Sequence, residues 1–102
     1  MDSGIWHPVG SSGDVGTEME LHTLERKKVV LVRVDGEVKA FDGVCPHVGG
    51  PMVRGDLIDA VVTCPLHGWR FDLRKEGRET HGFACLRMLP VREEGDQLLV
   101  QL

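Results

Sequence analysis

Lys28-Val-Val-Leu-Val-Arg-Val34 and Glu37-Val-Lys-Ala-Phe41 are two β-branched segments that flank the pair Asp35-Gly36. An Asp-Gly pair is typical of the type I′ turn, because the twist of that turn matches the twist of the strands that it joins. The stretch therefore predicts a β-hairpin. No segment of the chain shows a sustained helical period, so the hairpin sets the expected fold class.

Further short strands are predicted on both sides of this hairpin. Before it, Met19, Leu21 and Thr23 alternate with polar or charged neighbours, as the buried face of a half-buried strand would. After it, short apolar segments separated by turn residues predict strands at residues 61–63, 69–71, 86–91 and 98–102. Many short strands among thirteen glycines indicate an all-β fold, a small antiparallel sandwich or barrel.

Length and composition restrict the class of protein. The chain has 102 residues, 41% of them hydrophobic and 27% charged, which predicts one globular domain over residues 1–102. A formal charge of -4 opposes binding to a phosphate backbone, so no nucleic-acid partner is expected. No apolar run is long enough to span a membrane, and the N-terminus shows no export signal. The expectation is a soluble cytoplasmic protein.

Two short motifs contain the residue types that bind metals. Cys45-Pro46-His47 is a C-x-H motif, and a C-x2-H motif at Cys64 and His67 follows it after sixteen residues. Each motif lies where a predicted strand gives way to a turn. In a reducing compartment such Cys and His pairs indicate metal binding before disulfides.

The ligand set is compatible with either zinc or an iron-sulfur cluster. Zinc accepts two Cys and two His in a tetrahedron. However, Pro46 is the only residue between Cys45 and His47, and its fixed φ resists the reversal that would bring both onto one ion. In a two-iron cluster each loop can give its Cys to one iron and its His to the other. The spacing favours the cluster and leaves a structural zinc module as the alternative.

The two motifs, with their flanking residues, resemble the cluster-binding loops of Rieske ferredoxins, the electron carriers of bacterial aromatic-ring dioxygenase systems. The matching stretches are Cys45-Pro-His-Val-Gly-Gly-Pro-Met52 and Cys64-Pro-Leu-His-Gly-Trp-Arg-Phe-Asp72. Similar loops occur in the Rieske domains of oxygenase large subunits and in the small subunit of assimilatory nitrite reductase. The resemblance implies a Rieske-type fold with both loops at one tip, and a [2Fe-2S] cluster.

The same resemblance implies the ligands and the partners. Cys45 and Cys64 would hold the inner iron, and His47 and His67 the outer iron near the surface. The chain would be an electron carrier and not an enzyme, monomeric when free, between a flavoprotein reductase and a terminal oxygenase. Its net acidic charge is expected to steer it to basic docking patches. The alternative function is a non-catalytic Rieske subunit of a larger reductase such as assimilatory nitrite reductase.

The resemblance also implies a low reduction potential. High-potential Rieske proteins of respiratory complexes carry an extra cysteine in each loop, joined in a disulfide, where this chain has Gly50 and Leu66. Those proteins also place a serine after the His-Gly of the second loop and a tyrosine nearby. Here Trp69 follows Gly68, and the chain contains no tyrosine. The hydroxyl donors that stabilise the reduced state are therefore absent.

Several residues around the motifs carry weaker expectations. Gly82-Phe83-Ala84 replaces a proline loop that relatives place over the cluster, so either Phe83 supplies an apolar cover or the cluster is more open to solvent. Trp69 and Phe71 are expected to pack beneath the second loop. Cys85 is expected to be a small buried hydrophobe. No role is assigned to the remaining histidines, His7, His22 and His81.

Overall fold

The computed structural model describes residues 5–46, 49–66 and 68–102, which form eleven β-strands and three single turns of 3-10 helix. The strands are β1 (Trp6–Ser11), β2 (Glu20–Leu24), β3 (Lys27–Val34), β4 (Glu37–Asp42), β5 (Asp56–Ile58), β6 (Val61–Thr63), β7 (Arg70–Asp72), β8 (Arg78–Glu79), β9 (Met88–Leu89), β10 (Val91–Glu94) and β11 (Gln97–Gln101). The 3-10 turns are Ser12–Asp14, Met52–Arg54 and Leu73–Lys75. The prediction of an all-β fold is confirmed.

The strands form three antiparallel sheets. One has the order β1-β11-β10, the second β2-β3-β4-β9, and the third β5-β6-β7-β8. The second is called here the hairpin sheet and the third the loop sheet. The two motifs lie at the ends of their strands: the first follows β4, and the second separates β6 from β7. In the described residues no helix is long and apolar enough to cross a membrane.

The hairpin predicted from Asp35-Gly36 is confirmed and forms the centre of the hairpin sheet. Asp35 and Gly36 have φ of 53° and 82°, the left-handed values that a type I′ turn requires. The strand β3 is buried on both faces. Val30 and Val32 join the same core as the motif cysteines, whereas Val29 and Leu31 join a second core under β11.

The strand β2 is confirmed, and Met19, just before it, is half-buried against a core as predicted, but the prediction is wrong for Leu21 and Thr23. Leu21 and Thr23 point to solvent, and the Leu21 side chain is 44% exposed. The half-buried positions are instead Glu20, His22 and Leu24. Because β2 pairs only with β3, at an edge of the sheet, little apolar surface covers it. Alternation in the sequence therefore predicted the strand but not the face that turns inward.

The last third of the chain differs from the prediction in one strand. Residues 86–91 do not form one strand: β9 ends at Leu89, and β10 begins at Val91 in another sheet. Pro90, which separates them, has no N–H to donate to a ladder. Its carbonyl accepts the Gln101 N–H at 3.0 Å, so Pro90 sits where the chain crosses between the sheets.

The end of the hairpin opposite the motifs is held by an exposed ionic network. The Arg74 guanidinium donates to both Asp35 carboxylate oxygens at 2.7 and 3.0 Å and to the Asp59 carboxylate at 3.0 Å. These hydrogen bonds lower the pKa of the Asp35 carboxyl below its ordinary value and raise the pKa of Arg74. The network joins the hairpin sheet to the turn between β5 and β6, at the end remote from the motifs.

Candidate metal centre

Both motif cysteines lie at strand ends with their side chains buried in one core. The Cys45 side chain follows β4 and is 2% exposed, and the Cys64 side chain follows β6 and is 0% exposed. They share this core with Val62 and Phe71. Neither cysteine is in a disulfide, so two buried thiols are available as ligands.

The backbones of the two motif loops are built in the same way. In the first loop, residues 45–50, the Gly49 N–H donates to the Cys45 carbonyl at 3.0 Å, and the Cys45 N–H donates to the Gly50 carbonyl at 2.8 Å. In the second loop, residues 64–69, the Gly68 N–H donates to the Cys64 carbonyl at 3.0 Å, and the Cys64 N–H donates to the Trp69 carbonyl at 2.8 Å. Each loop thus closes on its own cysteine.

A glycine occupies the same position in both closures. Gly49 has φ of 74° and Gly68 has φ of 73°, a left-handed conformation that side chains rarely adopt. Both glycines lie four residues after the cysteine of their loop. Glycine is therefore required at both positions for the tight closure of each loop.

The two loops touch each other at Gly50. A Cβ atom built on Gly50 would lie 3.0 Å from the Cys64 Sγ atom and 3.1 Å from the Leu66 side chain. The first loop therefore crosses directly over the thiol of the second, with no room for a side chain between them. Gly50 and Leu66 face each other, as expected of positions that a disulfide joins in high-potential relatives.

His47 and His67 lie outside the described residues, so the structure does not place them. Their described neighbours Pro46, Leu66 and Gly68 are all exposed, in contrast to the buried cysteines. The residue directly after each buried cysteine, Pro46 or Pro65, is therefore already exposed. Among the described residues no three His, Cys, Asp or Glu side chains are grouped for metal binding. Two buried thiols fit thiolate ligands, and a complete centre requires the two histidines.

The aromatic residues near the loops behave partly as predicted. Phe71 is fully buried in the core that contains both cysteines, and Trp69 is half-buried against it. Phe83, in contrast, is fully exposed, so it does not pack over either loop as a cover. Of the two expectations for this segment, the apolar cover is wrong, and the more open site is favoured.

Cys85 is exposed, so the expectation that it is a small buried hydrophobe is wrong. It forms an isolated bridge with Arg78 at the edge of the loop sheet, and its side chain points outward there. Of the other histidines, His22 contacts the Glu20 carboxylate at 3.3 Å, and His81 is exposed beside the second loop.

One buried charge was missed by the sequence analysis. The Glu79 side chain is 9% exposed, and its carboxylate accepts the Ala84 N–H at 3.3 Å. A Cβ atom on Gly82 would lie 2.4 Å from the Glu79 Oε1 atom, so residues 79–84 wrap tightly around the carboxylate. This compact turn contains Gly82-Phe83-Ala84, the segment that replaces the proline loop of relatives, and that replacement is the feature of the sequence that could have indicated the turn.

Comparison with known proteins supports the resemblance of the two motif loops to Rieske cluster-binding loops. A family model described as "Rieske [2Fe-2S] domain" matches residues 5–90. The ferredoxin component of the alkene monooxygenase system of Xanthobacter autotrophicus is 32% identical over 84 residues, which are 81% of this chain and 69% of that protein. The ferredoxin component of the naphthalene 1,2-dioxygenase system of Pseudomonas aeruginosa is 34% identical over 82 residues, 78% of each chain.

A solved structure and a longer relative complete the comparison. The ferredoxin of carbazole 1,9a-dioxygenase from Nocardioides aromaticivorans superposes with a TM-score of 0.76 at 25% identity, covering 91% of this chain and 95% of that one. Cholesterol 7-desaturase of Hemicentrotus pulcherrimus is 32% identical over 94% of this chain, which spans only 19% of that protein.

The resemblance to Rieske ferredoxins inferred from the loops is confirmed, as is the [2Fe-2S] cofactor, so the zinc alternative is set aside. The ferredoxin relatives also confirm an electron-transfer component in place of an enzyme.

Proposed function

Because the chain belongs to the Rieske [2Fe-2S] domain family, we propose that Cys45, His47, Cys64 and His67 hold its cluster and that the chain carries electrons to a terminal oxygenase. The observation that carries this proposal is the pair of matched loops. Each closes on a buried cysteine through the same two hydrogen bonds, and each contains one histidine. Two loops of this kind supply the two Cys and two His ligands of a Rieske centre.

The burial of the loop residues supports different roles for the cysteine and histidine ligands. The cysteines lie in an apolar core that excludes water, whereas the residues beside the histidines are exposed. When bound, the cluster takes up and releases one electron. Histidines near the surface would give that electron a short path to a docked partner, while the cysteine side stays shielded from solvent.

The partners are proposed from the ferredoxin relatives. Two of them are components of the alkene monooxygenase and naphthalene 1,2-dioxygenase systems. We infer a flavoprotein reductase as the electron donor and the oxygenase of such a system as the acceptor. The chain would be a cytoplasmic monomer when free. Reconstituted turnover of an oxygenase with the reductase and this chain, and loss of turnover when the chain is omitted, would test the assignment.

The ligand set is tested by spectroscopy. We expect two irons and two acid-labile sulfides per chain and, after reduction, an EPR signal with couplings to two histidine nitrogens, observed with ¹⁵N-labelled histidine. A His81→Gln variant is the matched control, because His81 is exposed beside the second loop but lies outside both motifs. Nitrogen couplings that disappear in this variant, or a colourless protein with one zinc, would contradict the proposed ligands.

The reduction potential is expected to be low. Rieske centres span about -150 to +300 mV, and hydrogen bonds to the sulfurs raise the value. The Gly50 and Leu66 positions face each other without a disulfide, and the chain has no tyrosine to donate a hydroxyl. We therefore expect a midpoint below zero by protein-film voltammetry at neutral pH. A midpoint well above zero would argue against a carrier supplied by a nicotinamide-dependent reductase.

A further inference from the structure

A cavity lined by cations lies beside the first loop. It has a volume of about 370 Å³, and four of the twelve Lys and Arg residues of the chain contribute to its wall. Those four are Arg26, Lys27, Lys28 and Arg87. Concentrating a third of the cations at one cavity is unexpected in a chain of formal charge -4.

Two of the residues that line the cavity are hydrogen-bonded to the backbone just before the first loop. The Gly43 N–H donates to the Lys28 carbonyl at 2.8 Å, and the Asp42 N–H donates to the Arg87 carbonyl at 2.9 Å. Val44, the residue before Cys45, also lines the cavity. The cations are therefore held within a few residues of a cluster ligand, at the end of the molecule where electrons would leave.

Few carboxylate side chains lie beside three of these cations, Arg26, Lys27 and Lys28. Asp42 is the one carboxylate side chain in the wall among the described residues, and its Oδ1 atom already accepts the Val44 N–H at 3.1 Å. Glu25 lies in the adjoining turn but not in the wall. Within the described part of the chain, Arg26, Lys27 and Lys28 make no ion pair. These three cations are therefore accessible to an anionic group from outside the chain.

We propose that this cavity binds carboxylates of an acidic surface on the protein that exchanges electrons with this chain; the proposal rests on the proposed electron-carrier function. A protein partner fits because an exposed apolar side chain, that of Val44, lies in the cavity wall, and a second, that of Leu66, is exposed in the second loop. Val44 is 41% exposed and Leu66 56% exposed, both beside the cluster ligands. An apolar centre with a charged rim is the usual composition of a transient protein interface.

This proposal reverses the expectation drawn from net charge. The formal charge of -4 predicts a basic patch on the partner, but screening limits the effect of remote charges to about 8 Å at physiological ionic strength. The Asp35 and Asp59 carboxylates lie at the opposite end of the hairpin, paired with Arg74. The local cations, not the total charge, therefore decide which surface docks at the cluster end.

Small charged oxidants measure the local charge at the electron exit. The dithionite-reduced holoprotein is mixed in a stopped-flow instrument with hexacyanoferrate(III), an anion, or with hexaammineruthenium(III), a cation. We expect the rate with hexacyanoferrate(III) to fall several-fold between about 20 and 200 mM ionic strength, and the rate with the cation to rise. Salt effects of the opposite sign would follow the net charge and would overturn the proposal.

Charge-reversal variants locate the effect. Lys28→Glu should weaken the salt dependence with hexacyanoferrate(III), and Lys27→Glu/Lys28→Glu should reverse its sign. Lys75→Glu is the matched control, because it changes the net charge equally but lies beside Arg74 at the opposite end. All three lysines are exposed, so the variants should fold. Equal effects of Lys28→Glu and Lys75→Glu would contradict a local role for the cavity.

A binding experiment with a carboxylate peptide tests the cavity independently of the proposed electron-carrier function. A ten-residue polyglutamate peptide should shift the backbone NMR signals around Lys28 in the oxidised holoprotein, and the shifts should be lost in Lys27→Glu/Lys28→Glu. Inorganic phosphate that binds as tightly as the peptide would indicate a small-anion site and overturn the assignment to a protein. A chain that binds the peptide but cannot be reduced by dithionite would refute the electron-carrier function alone.

Discussion

Cys45→Ala and Cys64→Ala are each expected to abolish cluster binding, whereas Cys85→Ser should leave the iron content unchanged. The two motif cysteines are buried in one core at the ends of β4 and β6, and each closes its loop through backbone hydrogen bonds. Cys85 is exposed and lies in neither loop. Because a bound metal centre restrains both loops, its loss should also loosen the loops together.

Iron and sulfide content, visible absorption and hydrogen exchange check this prediction. Cys85→Ser should change the free energy of unfolding by no more than about 0.5 kcal/mol, as surface substitutions do. In the native holoprotein, iodoacetamide should label Cys85 alone, and denaturation should expose all three thiols. A folded Cys85→Ser protein without iron would show that the third cysteine is misassigned.

The hairpin and the two loops could be predicted because local turn chemistry specifies them. Asp35-Gly36 can adopt the left-handed values of a type I′ turn, and glycine at positions 49 and 68 permits the left-handed closure of each loop. These requirements are satisfied within a few residues of sequence. The two Cys and His motifs, which lie in those loops, could therefore be recognised from their spacing, and the role of their four residues as cluster ligands stays a prediction.

Burial of individual side chains could not be predicted in the same way. Leu21 has the alternation expected of a strand, yet its side chain is exposed and joins neither core. Cys85 is apolar enough for a core, yet the chain bridges at Arg78 and turns its side chain outward. Both outcomes depend on which sheet lies opposite, and that information is not local.

The positions of the charges on the folded surface also could not be predicted from the sequence. Net charge adds the residues without regard to position, so it gave the chain an acidic character as a whole. Lys28, near the start of β3, and Arg87 are 59 positions apart in the chain. Folding brings them to the same cavity, because the Lys28 carbonyl accepts from Gly43 and the Arg87 carbonyl accepts from Asp42. Long-range pairing of strands therefore creates the cationic cavity.

Gly55 lies between the two loops, where the chain that follows the first loop passes close to the end of β6, which leads into the second loop. Its N–H donates to the Met52 carbonyl at 3.0 Å, at the end of a 3-10 turn that follows the first loop. A Cβ atom there would lie 1.8 Å from the carbonyl oxygen of Thr63, the residue before Cys64. The backbone of Gly55, with φ of -81° and ψ of 178°, suits any residue, so the requirement for glycine is steric.

Gly55→Ala is therefore expected to lower the free energy of unfolding by roughly 3 kcal/mol or more, because the clash involves backbone that cannot rotate away. For a domain of this size the Tm should fall by roughly 12 to 24 °C. Moving β5 away from β6 would also separate the loops, so iron content should fall in protein that still folds at low temperature. Gly16→Ala is the matched control, since no atom lies within 4 Å of its Cβ position. Calorimetry and iron analysis of both variants test the steric argument, and a Gly55→Ala protein with the Tm and iron content of the control would refute it.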